Sequence, residues 1–124
     1  MGIISRFPAG ATKPYIEEIY NSDGQLIDVK MYGYETIRDS AFASCTSLAL
    51  TTLPSGITNI SNYAFAICTS LTSVTFEGTP ESIGNNAFAY CNNLTTINVP
   101  WAEGAVANAP WGATNATINY GYTG

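Results

Sequence analysis

A 12-residue pattern that recurs at a fixed interval constrains the fold of this chain more than any other feature. Segments 37–48, 60–71 and 83–94 each begin with Ile, continue through an Ala-Phe pair and a Cys, and end with Leu. Each segment begins 23 residues after the previous one. A constant period in the twenties indicates coils that stack and bury their apolar sides against one another. The sequence therefore predicts a solenoid.

Each repeat is predicted to begin with a short helical turn. Its Ala-Phe pair is expected to point inward, so that each Phe packs on its copies in the neighbouring repeats. An Asp or Asn precedes each turn and suits a helix N-cap. The three predicted helical turns are Ser40–Cys45, Tyr63–Cys68 and Asn86–Cys91.

A strand is predicted to follow each turn. Segments 71–76 and 94–99 place apolar residues on one side, and Thr75 and Asn98 are expected to face outward. In the first repeat, Thr51 stands where Val74 and Ile97 stand in the others. Either the register shifts there or a Thr is tolerated.

The chain is predicted to be one domain, 1–124, with distinct ends. Residues 1–36 are interpreted as an irregular lead-in, 1–14, followed by an N-terminal β-hairpin cap. Two β-prone runs, 15–20 and 25–32, flank the turn-forming residues 21–24. Residues 37–99 hold the three repeats, and residues 100–124 form an irregular C-terminal cap with a short helical piece and a strand over 116–122. The repeat is expected to stop at Pro100.

The aromatic residues of the C-terminal segment have two interpretations. A solenoid must cover its last apolar coil, and Trp111 is suited to lie across that end. Aromatic side chains could instead form a platform on which sugars stack, but the cap is the favoured role. The residues concerned are Trp101, Trp111, Tyr120 and Tyr122.

Charge and hydropathy exclude several classes of partner. Charged residues make up 10% of the chain and the net charge is −5. The cations all lie in the first 38 residues, as Arg6, Lys13, Lys30 and Arg38. This distribution argues against nucleic acid and anionic lipid as partners. No apolar run is long enough for a membrane span, and the N-terminal residues lack the pattern of a secretory signal.

The three cysteines are interpreted as part of the core. Cys45, Cys68 and Cys91 occupy the same position of successive repeats, and a buried thiol behaves as a small hydrophobe. Reduced thiols are favoured, although one disulfide between adjacent repeats is an alternative. The chain has no His, no phosphate-binding loop and no clustered carboxylates, so we expect no metal, no cofactor and no enzymatic activity.

The pattern Ile-x3-Ala-Phe-x2-Cys-x2-Leu-x2-Ile-x-Val-Pro resembles the BspA-type (LRR_5-like) leucine-rich repeat of bacterial surface proteins and some phage proteins. The resemblance covers about 65 residues. It implies an α/β leucine-rich-repeat fold, a right-handed solenoid with parallel strands on one face. It also implies binding or adhesion through exposed surfaces, without catalytic residues. The C-terminal segment is similar to the ends of small repeat proteins encoded by phages and prophages of gut bacteria.

These observations lead to a non-catalytic binding or assembly function. The main hypothesis is a structural or host-attachment component of a bacteriophage particle, of tail or fibre type, located in the virion or outside the cell. Its partners would be copies of itself, other virion proteins or a surface glycan. The alternative is a cell-surface adhesion module that binds host protein or glycan. The candidate binding face consists of outward strand residues, which also suit a strand without any ligand: Thr72, Ser73, Thr75, Thr95, Thr96 and Asn98.

Overall fold

Stacked coils of parallel strands form the body of the protein. The computed structural model describes residues 4–6, 15–49 and 52–124. In chain order the strands are β1 (Ile4–Arg6), β2 (Tyr15–Tyr20), β3 (Leu26–Tyr32), β4 (Thr36–Ile37), β5 (Thr52–Leu53), β6 (Asn59–Ile60), β7 (Ser73–Phe76), β8 (Ser82–Ile83), β9 (Thr96–Asn98) and β10 (Thr117–Asn119).

Two parallel sheets lie on different sides of the coils. One has the strand order β10-β9-β7-β5, and the other has the order β4-β6-β8. In the second sheet Ile37 pairs with Ile60, and Ile60 pairs with Ile83. Each coil therefore contributes one strand to each sheet, and the 23-residue sequence period is the length of one coil. The predicted solenoid is confirmed as a β-solenoid.

The predicted helical turns are wrong, and with them the α part of the α/β class. The described residues contain no helix. The turns instead contain residues with positive φ, such as Tyr63 at 61° and Ile67 at 60°. The Phe65 amide donates to Ala87 O of the next coil at 2.8 Å, whereas a helical amide would bond four residues back along its own chain. Bonding between coils thus replaces bonding within a helix.

The strands are shorter than predicted, and one outward residue is buried. β7 begins at Ser73 and β9 spans Thr96–Asn98. Asn98, expected to face solvent, is only 8% exposed because it is hydrogen-bonded between the side chains of neighbouring strands. In the first repeat, Thr52 pairs with Thr75 and Leu53 with Phe76, so these two residues keep the 23-residue register. Thr51 itself lies outside the described residues.

A ladder of phenylalanines occupies the centre of the core. The ring centroids of Phe42 and Phe65 are 5.4 Å apart, and those of Phe65 and Phe88 are 5.5 Å apart. The planes are inclined by 13° and 7°, so the rings stack. Phe65 and Phe88 are fully buried, whereas Phe42, in the first coil, is partly exposed. The predicted stacking of the Phe residues is therefore correct.

An antiparallel sheet, β1-β2-β3, precedes the coils. The tip of its β2–β3 hairpin is closed by Asn21, whose Oδ1 accepts the amides of Asp23 and Gln25 at 3.0 Å. Val29 and Met31 of β3 join the core, and the Ala49 amide donates to Ile27 O at 2.8 Å. The predicted irregular lead-in is wrong at 4–6, because β1 pairs with β2. Its other residues, 1–3 and 7–14, lie outside the described part.

The C-terminal segment continues the coil instead of ending it at Pro100. Trp111 follows Phe88 by 23 residues, and its carbonyl accepts the Phe88 amide at 2.9 Å, as the next coil does for Phe65. β10 then pairs in parallel with β9, with Ile118 opposite Ile97. Ile118 follows Ile97 by 21 residues, so this fourth coil is two residues short. The described segment holds turns in place of the predicted helical piece.

Candidate binding surfaces

The outer side of the four-stranded sheet carries two rows of hydroxyl and amide side chains, here named the hydroxyl face. The strand register creates both rows, because parallel strands about 4.8 Å apart bring equivalent residues side by side. One row is Ser73, Thr96 and Thr117, and the other is Thr52, Thr75, Asn98 and Asn119.

Hydrogen bonds between side chains fix part of the hydroxyl face. Asn98 Nδ2 donates to Thr75 Oγ1 at 3.1 Å, and Asn119 Nδ2 donates to Asn98 Oδ1 at 2.8 Å. These bonds join three adjacent strands and hold the amides in one orientation. A partner would therefore meet polar groups that are already ordered, which lowers the entropy cost of binding.

The six sequence-predicted face residues do not share one environment. Thr72 and Thr95 are exposed and precede the strands, and their carbonyls accept amides of the following coil. Ser73, Thr75 and Thr96 are partly exposed within the strands. The structure thus brings four of the six, including Asn98, into the two rows.

The cysteines lie between the coils as free thiols. Cys68 Sγ donates to Phe42 O at 3.2 Å, and Cys91 Sγ donates to Phe65 O at 3.0 Å. The hydrogen bond with Cys91, and then burial, raise the pKa of Cys68, and burial also raises the pKa of Cys45. These thiols are held in the protonated form, which is a poor nucleophile.

The two tryptophans of the predicted aromatic patch are buried. Trp111 is fully enclosed and its Nε1 donates to Ala107 O at 2.9 Å. Trp101 lies edge-on to both Phe76 and Trp111, with centroid distances of 5.2 and 6.1 Å. Their faces are therefore covered by the core, while Tyr120 is half-buried and Tyr122 is 38% exposed.

Three large exposed side chains were missed by the sequence interpretation. Tyr63, Ile67 and Tyr90 are 44%, 41% and 67% exposed. They lie in the turns just before and after the inward Ala-Phe-Ala segments. The available signal was that the equivalent positions of the first repeat hold Ser40 and Ser44, so the fold does not need bulky residues there.

Two searches of the described part concern metals and membranes. Within residues 4–6, 15–49 and 52–124, no three His, Cys, Asp or Glu side chains are grouped so as to hold a metal ion. The same residues contain no helix with the length and apolar character needed to cross a membrane.

Comparison with known proteins gives one result. The family model of the BspA type leucine rich repeat region matches residues 17–106 in six copies. This range covers most of the chain, including the three repeats and the hairpin. No curated protein and no solved structure matches the chain significantly.

Proposed function

Because this chain belongs to the BspA type leucine-rich repeat family, whose repeats imply protein binding, we propose that it is a non-catalytic adhesion module. Its hydroxyl face would contact a partner protein. The observation that carries the proposal is the strand register, which aligns seven uncharged side chains from four strands in two rows. A flat, ordered and uncharged surface suits a partner that offers hydrogen bonds and apolar contacts rather than charge.

A charge placed in the centre of the hydroxyl face tests the proposal. Thr96 lies in the middle of the first row, so Thr96→Lys should weaken binding at least about tenfold through an unpaired, desolvated ammonium group. The measurement is biolayer interferometry against purified host surface and matrix proteins. Thr79→Lys is the matched control, because Thr79 is exposed in a turn outside both rows.

Equal binding by the parent and both variants would contradict the use of this face. A panel on which the parent binds no protein at all would contradict the adhesion role itself. The two results separate the choice of surface from the function.

A component of a bacteriophage particle is the narrower second proposal. It rests on the resemblance of the C-terminal segment, which the comparisons do not support. The structural observation in its favour is that β10 ends the four-stranded sheet with an open edge, onto which another copy could add a strand. Light scattering would give a symmetric oligomer if copies assemble in this way, and a monomer would count against it.

A further inference from the structure

A cleft on the turn side of the coils lies apart from the hydroxyl face. It has a volume of about 360 Å³ and runs across the third and fourth coils. Tyr63, Asn86, Tyr90 and Asn92 line it, and we name it the tyrosine cleft. Gly112 and Thr114 of the fourth coil form its other wall.

The exposed residues of these turns sit on backbone that does not favour them. Tyr63, Ile67 and Tyr90 have φ of 61°, 60° and 60°, in the left-handed region, where bulky residues are uncommon and a β-branched one is an outlier. Hydrogen bonds between coils maintain this conformation, since the Ile67 amide donates to Ala89 O at 2.8 Å. Residues kept in such conformations cluster at ligand sites.

Two asparagines of the cleft have amides available for a ligand. Within the described residues, the side-chain amides of Asn86 and Asn92 have no hydrogen-bond partner. Elsewhere the amides bridge coils: Asn93 Nδ2 donates to Thr69 O at 2.7 Å, and Asn115 Nδ2 donates to Asn92 O at 3.2 Å. The second bond also positions the Asn92 backbone.

The wall formed by the fourth coil depends on Gly112. This residue takes the place of Ala43, Ala66 and Ala89 in the earlier coils and has a φ of 85°. A Cβ at this position would lie 3.0 Å from Ala89 Cα. The glycine therefore permits the fourth coil to approach the third closely enough to close one side of the cleft.

The chemistry of the cleft fits a neutral sugar. Phenol rings offer apolar faces to the C–H groups of a pyranose, and an amide can donate to one hydroxyl while it accepts from the next. The described lining contains no charged side chain, which disfavours ionic ligands. A volume of about 360 Å³ is within the usual range of small-ligand sites. We propose that the tyrosine cleft binds one neutral pyranose unit of an oligosaccharide.

The test is a titration of the ¹⁵N-labelled full chain with cellotetraose, chitotetraose and N-acetyllactosamine, followed by amide chemical shifts. At least one of these sugars should produce saturable shifts in residues 86–92 and 112–114. Tyr90→Ala should reduce the affinity at least about tenfold, because it removes the stacking face. Tyr90→Phe should keep most of the affinity, because it keeps the ring.

Controls separate this site from the hydroxyl face and from misfolding. Tyr122→Ala removes an exposed tyrosine outside the cleft, and Thr96→Lys changes only the hydroxyl face, so both should bind sugar like the parent. Asn92→Ala gives a second cleft variant with an exposed, unbonded side chain. Absence of saturable shifts with all three sugars would overturn the proposal, and so would parental affinity in both Tyr90→Ala and Asn92→Ala.

Discussion

Phe65 lies between two equivalent rings, and its replacement measures how much the ladder contributes. Phe65→Ala should lower the free energy of unfolding by about 3–5 kcal/mol, because the residue is fully buried and leaves a cavity between Phe42 and Phe88. Phe42→Ala should cost less, because Phe42 is partly exposed and stacks on one ring only. Urea unfolding followed by circular dichroism gives both values. Equal losses would contradict the ladder order.

A second residue-scale prediction concerns close contact between coils at a glycine. A Cβ on Gly84 would lie 2.7 Å from Asn62 N and 2.9 Å from Asn62 Cα, which are backbone atoms that cannot rotate away. Gly84→Ala should therefore destabilise the protein by about 1–3 kcal/mol. Gly56→Ala is the control, since the nearest atom to its Cβ would be Tyr34 O at 3.8 Å. Similar melting temperatures for the two variants would argue against this packing of the coils.

At the scale of one element, the fourth coil contains two buried indoles that differ in one hydrogen bond. The Nε1 of Trp111 donates to Ala107 O, whereas Trp101 Nε1 is buried without a partner. Trp111→Phe should cost about 1–2 kcal/mol more than Trp101→Phe, because only the first change breaks a bond and orphans a carbonyl. Thermal unfolding monitored by calorimetry compares them. A larger loss for Trp101→Phe would show that the two indoles had been assigned the wrong roles.

The elements also show what the sequence could predict and what it could not. The coil length and the inward Phe and Leu residues followed from the 23-residue period, because stacking repeats the same burial at the same position. The helical turns failed because a local Ala-Phe-Ala pattern does not reveal that Phe65 bonds to the next coil. The fourth coil was missed because a two-residue shortening after Trp111 removes the period.

The binding surfaces were predictable to a similar, partial extent. Alternation placed Ser73, Thr75 and Thr96 on the outer side of the sheet. It could not show that Asn98 is shielded by the side chains of Thr75 and Asn119. The tyrosine cleft was not predictable, because it depends on the left-handed turns and on the approach of Gly112 to Ala89.

For the whole molecule, we expect folding to require the fourth coil. The core cluster is continuous from Val29 to Ala113, and Trp111 closes it behind Phe88. Removal of residues 101–124 should therefore abolish cooperative unfolding in urea and the near-ultraviolet circular dichroism of ordered aromatic rings. Removal of residues 123–124, which are exposed, is the matched control and should change little. A sharp, parent-like transition in the longer truncation would show that three coils suffice.

The spacing shared by Phe42, Phe65, Phe88 and Trp111 has a consequence for how such a gene can change. Each coil presents to the next the same edge that it receives from the one before. An in-frame duplication of one 23-residue unit would thus add a coil that fits on both sides, and a loss of one unit would close the gap in the same way. The length of the molecule can then vary among descendants in steps of about 5 Å, while its cross-section stays constant.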